Sequence, residues 1–170
     1  MTSQSDDQTR VKWIAGGAAM GVAGGLAEVL VVGAYSGIAG IDAADVAGAI
    51  ATAVRVAPGS AAAGLAVHMA LSAALGIALL AGAKASGLLR DGSVLLTYAM
   101  GLLALGAIWG LNFFIVLPFI SPTFVHLLPY PVTLASKLLF AVVAVATLRS
   151  MSVGAVSRAA LGRAIPRSTA

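Results

Sequence analysis

In a chain of 170 residues that is 60% hydrophobic and only 9% charged, with mean hydropathy +1.02, most of the surface must face lipid, since a soluble domain carries about 25% charged residues. Cysteine is absent, which excludes a disulfide framework, a thiolate metal site and a cysteine nucleophile. The net charge of +4 arises from bases at the ends of apolar runs, with no basic stripe of interleaved aromatics, so the partner they suit is a lipid headgroup and not nucleic acid.

Four apolar runs, at residues 13–35, 61–82, 94–117 and 131–148, reach or approach the roughly 20 residues that a helix needs to cross about 30 Å of hydrocarbon. The first follows Arg10 and Lys12, as a secretory leader would. It is far longer than the apolar region of such a leader, which is about 7–15 residues, so it reads as an uncleaved first span. Residues 41–57 come next. Asp42 can cap a helix with Asp45 three residues on, and Val46, Ile50 and Val54 repeat at helical spacing opposite Asp45, Thr52 and Arg55 until Pro58. This pattern predicts an amphipathic helix lying on the outer membrane surface, or failing that a loosely helical connector. Residues 83–93 form a short inner connection turning at Gly87 and Gly92, which makes the second and third spans antiparallel neighbours. Residues 118–130 contain Pro118, Pro122 and Pro129 with Phe119, Phe124, His126 and Tyr130, but no acid, lysine or arginine. The prolines oppose a regular helix, and the aromatics suit the headgroup level or a protein surface. From residue 149 the chain is a basic tail expected to fray along the inner leaflet.

The bases choose an orientation. With the N-terminus inside, the inner segments hold Arg10, Lys12, Lys84, Arg90, Arg149, Arg158, Arg163 and Arg167, the outer segments hold Arg55 alone, and Lys137 lies within a span. Such a bias puts both termini on the cytoplasmic side, and only an even number of spans agrees with it. The fold class expected is therefore an all-α integral membrane protein: a single domain, a four-transmembrane-helix bundle, in an inner (plasma) membrane.

Glycines supply contact surfaces, because helices in lipid associate through close backbone approach and dispersion. Gly17, Gly21 and Gly25, continued by Gly33 and Gly37, mark the first span, and Gly64, His68, Ser72 and Gly76 mark the second. Gly106 and Gly110 are expected to give the third span a matching surface, and such faces also suit other membrane proteins or a homo-oligomer. Gly21-x-x-x-Gly25-Leu26 and Gly106-x-x-x-Gly110-Leu111 raise the idea of a two-helix internal repeat.

Each span carries one strongly polar residue: Glu28, His68, Asn112 and Lys137. Counted inward at about 1.5 Å per residue, all four fall roughly 7–11 Å below the outer interface. An ionised side chain facing lipid is costly, so this layer is expected to point inward, with a Glu28–Lys137 ion pair and hydrogen bonds from His68 and Asn112. Three readings compete: a polar clasp that fixes helix register, a binding or transport site open to the outer face, and a metal or cofactor subunit using His68, Met69 and His126. The third is weak, because no carboxylate stands at ligand spacing. There is no phosphate loop, nucleophile elbow or His-Glu-x-x-His motif in the chain. The expectation is an accessory or structural membrane subunit without an enzymatic site or cofactor, or alternatively a small carrier of a solute or of protons that uses the polar layer.

Overall fold

The computed structural model of the chain describes the backbone of residues 3–91 and 93–164 and the side chains of residues 8, 11–89 and 93–151. Among the described residues there are helices and no strand. In chain order these are α1 (Ser3–Ala39), α2 (Ala43–Ala53), α3 (Ala61–Ala85), α4 (Leu88–Asp91), α5 (Val94–Leu111), a π turn (Asn112–Val116), α6 (Leu117–Ile120), α7 (Pro122–Val125) and α8 (Tyr130–Ala164). Four of the helical segments are long and apolar enough to cross a membrane: Val11–Ala39, Ala61–Ala85, Val94–Ile120 and Tyr130–Met151.

These segments contain the four expected spans and exceed them at several ends. The helix α1 starts near residue 3 rather than 13, since polar residues continue a helix where no proline or glycine stops it. The third span runs past residue 117 to Ile120 by widening into the π turn. Pro118 explains this: it has no N–H, and its ring crowds the carbonyl one turn back. The helix loosens there, and the Leu117 N–H reaches the Asn112 carbonyl. Sequence reasoning ends the fourth span at 148 and lets the tail fray. The helix α8 instead continues to Ala164, with no proline to break it before Pro166. Gly92 and residues 165–170, Arg167 among them, lie outside the described residues.

The α1 stripe meets α3 as its glycines imply. A Cβ at Gly17 would stand 2.7 Å from the Ile77 Cα, one at Gly21 would overlap the Ser72 carbonyl, and one at Gly25 would stand 2.5 Å from the Ser72 hydroxyl. From the other side, Gly76 sits against Gly17 and Gly21. Gly24 faces a different neighbour, the ring of Phe140 on α8. The helices therefore line up as α3, α1, α8, α5, each packed on the next. The expected close packing of the second and third spans is not found: α3 and α5 stand at opposite ends of this row, with at most marginal backbone contact. Gly33, Gly37, Gly106 and Gly110 likewise have open space where a Cβ would go. The Gly106/Gly110 face is not the matching surface expected of it, and the idea of a two-helix repeat loses its packing counterpart.

Side chains close the half of the bundle nearer the chain ends. Met20, Leu80, Leu105, Phe140, Ala141 and Ala144 form the core cluster, with Phe140 and Leu105 fully buried. Below it Lys84 lies 6.0 Å from the Trp13 ring. The other half carries α2 and α7, which meet each other. The helix α2 begins where Asp42 accepts a hydrogen bond from the Ala44 N–H at 2.8 Å. Its Val46, Gly48 and Ala51 are buried, and it seats on α3 with Gly64 against the Ala47 carbonyl. Its apolar side is thus turned to protein. Asp45 and Arg55 are exposed, and Val54, expected on the apolar face, is 41% exposed because the helix has ended. The connection after α5 is not irregular throughout: α6 and α7 are single helical turns, and Val125 and Leu128 anchor it in the bundle.

Candidate functional site

In the half of the bundle that carries α2 and α7 the row of helices borders a cavity of about 530 Å³. Its walls come from α1, α3, α5 and α8, and its roof from α2 (Val46, Ile50) and from Phe124 and Leu127 of the last connection. The volume lies within the range of small-molecule sites, about 300–1,000 Å³. Glu28, His68, Asn112 and Lys137 all line it, so one residue from each apolar span borders a single space.

Glu28 is the centre of the polar group. Its Oε1 lies 2.7 Å from Lys137 Nζ, the distance of a charge-assisted hydrogen bond, and its side chain is 7% exposed against 17% for Lys137. Lys137 also stands 5.4 Å from the Phe140 ring, so its charge rests on the top of the apolar core. The glycine contacts between α1 and α3 bring His68 to the same place. His68 Nε2 is 3.3 Å from the Gly25 carbonyl and 3.9 Å from Glu28 Oε2. A carbonyl only accepts, so Nε2 carries a hydrogen that it donates to Gly25, and the longer distance to Glu28 is not a hydrogen bond. Glu28 Oε2 is left buried without a partner.

The expected ion pair is therefore present and His68 lies in its layer, but Asn112 does not bond to the pair. Among the described residues its side chain has no hydrogen bond, and it lines the cavity half-exposed from the first position of the π turn. Sequence reasoning puts Trp109 on the face of Asn112 and Thr133 on that of Lys137, but not the wall that the two faces build together. Trp109 donates its indole N–H to Thr133 Oγ1 at 3.0 Å, and Thr133 in turn donates to the Tyr130 carbonyl at 3.0 Å. Trp109 stacks on Phe113 with centroids 5.5 Å apart, and Phe114 and Tyr130 complete the cluster edge-on to Trp109. Ser136, one residue before Lys137, bonds to the Thr133 carbonyl at 2.9 Å. The available signal was the spacing of Trp109 with Asn112 and of Thr133 with Lys137, each pair one turn apart on a single helix face.

His126, the other histidine, lines a separate smaller recess with Tyr35, Ile41 and Tyr130. Met69 faces Gly25 on α1, its sulfur 3.5 Å from where a Cβ would stand. The three soft or imidazole groups are not assembled, and among the described residues no group of three His, Cys, Asp or Glu side chains is placed to hold a metal ion.

Apart from that polar floor the cavity walls are apolar, with Val29, Val32, Leu65, Leu71 and Leu75 prominent. The arrangement can hold an apolar body and meet one small polar group at its inner end. No protein-family model, curated protein or solved structure matches the chain.

Proposed function

We propose that this is a multi-pass protein of an inner membrane, with both termini cytoplasmic, whose outer half binds a small amphiphilic molecule. Support for the orientation is the charge bias: eight bases flank the inner ends of the spans and Arg55 alone is outside. With that orientation α2, its charged side exposed, lies across the outer ends of the helices at the interface. The observation that carries the binding reading is the cavity itself. A polar clasp alone would leave a filled bundle, whereas here the ion pair and Asn112 border about 530 Å³ of apolar-walled space. That α3 and α5 stand at opposite ends of the row, and that Leu65 and Leu71 of the cavity lining are exposed, supports an opening at the side of the bundle between α3 and α5. A lipid-soluble molecule has a path to it from the bilayer. The polar layer then positions a ligand without catalysing a reaction, and a carrier cycle would use the same site.

The accessory-subunit reading has its own support. The third span is the least buried of the four, and Gly106 and Gly110 on it face open space, which suits a second helix from a partner or another copy. The two readings are compatible, since neither Gly106 nor Gly110 lines the cavity.

The test is native mass spectrometry of protein released from its own membranes in mild detergent. A bound small amphiphile is expected on the native chain and not on Val32→Trp, which fills the cavity. A native chain that carries nothing, and that no amphiphile stabilises against heat, would overturn the binding reading.

A further inference from the structure

We infer that the ligand of the outer cavity is an uncharged, single-tailed lipid alcohol whose hydroxyl docks between Glu28 and Asn112. This rests on the binding reading above and goes on to specify the head group. Three observations lead to it. First, the floor is electrically closed: Glu28 and Lys137 neutralise each other at 2.7 Å. A carboxylate or ammonium head would add a charge that nothing in the cavity compensates, and an uncompensated charge away from water is expensive. Second, Glu28 Oε2 lacks a donor, while Lys137 keeps N–H groups beyond the one given to Oε1. Glu28 Oε1 is taken by Lys137, the His68 N–H is committed to the Gly25 carbonyl, and Oε2 is buried without a hydrogen bond although Glu28 is 5% exposed overall. The terminal torsion of a glutamate is soft and the lysine stem is flexible, so the carboxylate can turn this buried oxygen to an arriving O–H while Lys137 follows Oε1. Third, Asn112 offers an unpaired amide across the same space. A hydroxyl can donate to Glu28 and accept from the Asn112 N–H₂ at once, and neither an alkane nor an ester can do both. The size of the cavity and its apolar walls suit one chain better than two, and an opening between α3 and α5 would admit a chain from the membrane side.

The experiment uses the full chain in nanodiscs with Trp13→Phe, which leaves Trp109 in the cavity wall as the single indole. Four brominated probes of equal length are added: 11-bromoundecanol, 11-bromoundecanoate, 11-bromoundecylamine and 1-bromoundecane. Bromine quenches indole fluorescence at short range, so binding reads as saturable quenching above the linear quenching from bilayer partition. The alcohol is expected to saturate at a concentration about tenfold or more below the other three, an unpaired charge or an unmet carboxylate oxygen costing at least that much. The two single variants give an independent check wherever they fold. Glu28→Gln leaves a net positive floor and should transfer preference to the carboxylate, while Lys137→Met should transfer it to the amine. Equal saturable binding of all four probes would overturn the head-group assignment and keep the binding reading. Tightest binding of the acid or the amine to the unaltered floor would overturn the assignment as well. Saturable quenching by none of the probes would overturn both.

Discussion

Replacing Lys137 with methionine keeps the bulk of the side chain and deletes its charge, and the consequence can be worked from the geometry. Glu28 Oε1 loses its only partner, at 2.7 Å, and Oε2 has none to begin with. The nearest remaining donor is His68 Nε2, 3.9 Å from Oε2 and already bonded to Gly25. A Coulomb attraction across 2.7 Å at an effective dielectric of 20 is about 6 kcal/mol, which sets a ceiling. Breaking one side of a buried pair costs roughly 3–5 kcal/mol in practice. The opposite change, Glu28→Gln, leaves an amide oxygen that can still accept from Lys137, so a smaller loss of about 1–3 kcal/mol is expected. If the two residues act as a pair, the double variant loses less than the sum of the single ones, by up to about 3 kcal/mol. An ordinary interhelical hydrogen bond in a membrane protein, worth about 0.6 kcal/mol on average, would produce a far smaller coupling. The assay is reversible unfolding in mixed micelles for the four members of the cycle. Strictly additive losses, or a loss below about 1 kcal/mol for Lys137→Met, would refute the claim that the cavity floor is a buried ion pair.

Other expectations follow from the same contacts. Gly21→Leu drives a side chain into the Ser72 carbonyl of α3 and should lower the melting temperature in detergent, with a cost of about 3 kcal/mol or more; Gly106→Leu, which meets open space, should leave the isolated chain unchanged, and equal effects would contradict the helix order. His68→Gln removes one half-exposed bond to a carbonyl and should cost no more than about 1.5 kcal/mol, measured in the same micelles; a loss as large as that of Lys137→Met would make His68 part of the charge pair. Single cysteines at Ser86 and Ser157 should be shielded from an impermeant external thiol reagent while one at Ser60 reacts, and the reverse pattern would overturn the proposed orientation.

The long apolar runs and the depth of Glu28, His68, Asn112 and Lys137 were legible because each depends only on position along one helix. Hydropathy marks where helices lie, and rise per residue converts sequence number into depth. The Gly17, Gly21, Gly25 stripe was legible for a similar reason: small residues four apart make a flat strip that a neighbour fills. Which neighbour fills it is not written in one helix. Gly64 packs on α2 and Gly76 on α1 although they share a stripe, and Gly106 and Gly110 pack on nothing among the described residues. The adjacency of the second and third spans was misjudged because a short connection limits the distance between two ends but does not force the helices together. The cavity was also beyond sequence reasoning, since a void is set by the relative placement of all four walls. The π turn had a visible cause in Pro118, yet proline reads locally as a stop, and only the surrounding structure shows that the helix was carried through it.

The row α3, α1, α8, α5 has a consequence for biosynthesis. The first two spans can join as soon as both have left the ribosome, since their glycines meet directly. The third has no long helix to settle on at that moment: its partner among them is α8, the last to be made. In a membrane it would spend that interval without a long-helix partner, its polar Asn112 unmatched and its glycine face bare. The emergence of Lys137 on the final span then does two things together, capturing Glu28 on α1 and bringing α5 in alongside α8. A nascent chain halted before residue 130 would hold a paired first half and an orphan helix, the form of the chain a membrane quality-control protease is best placed to notice.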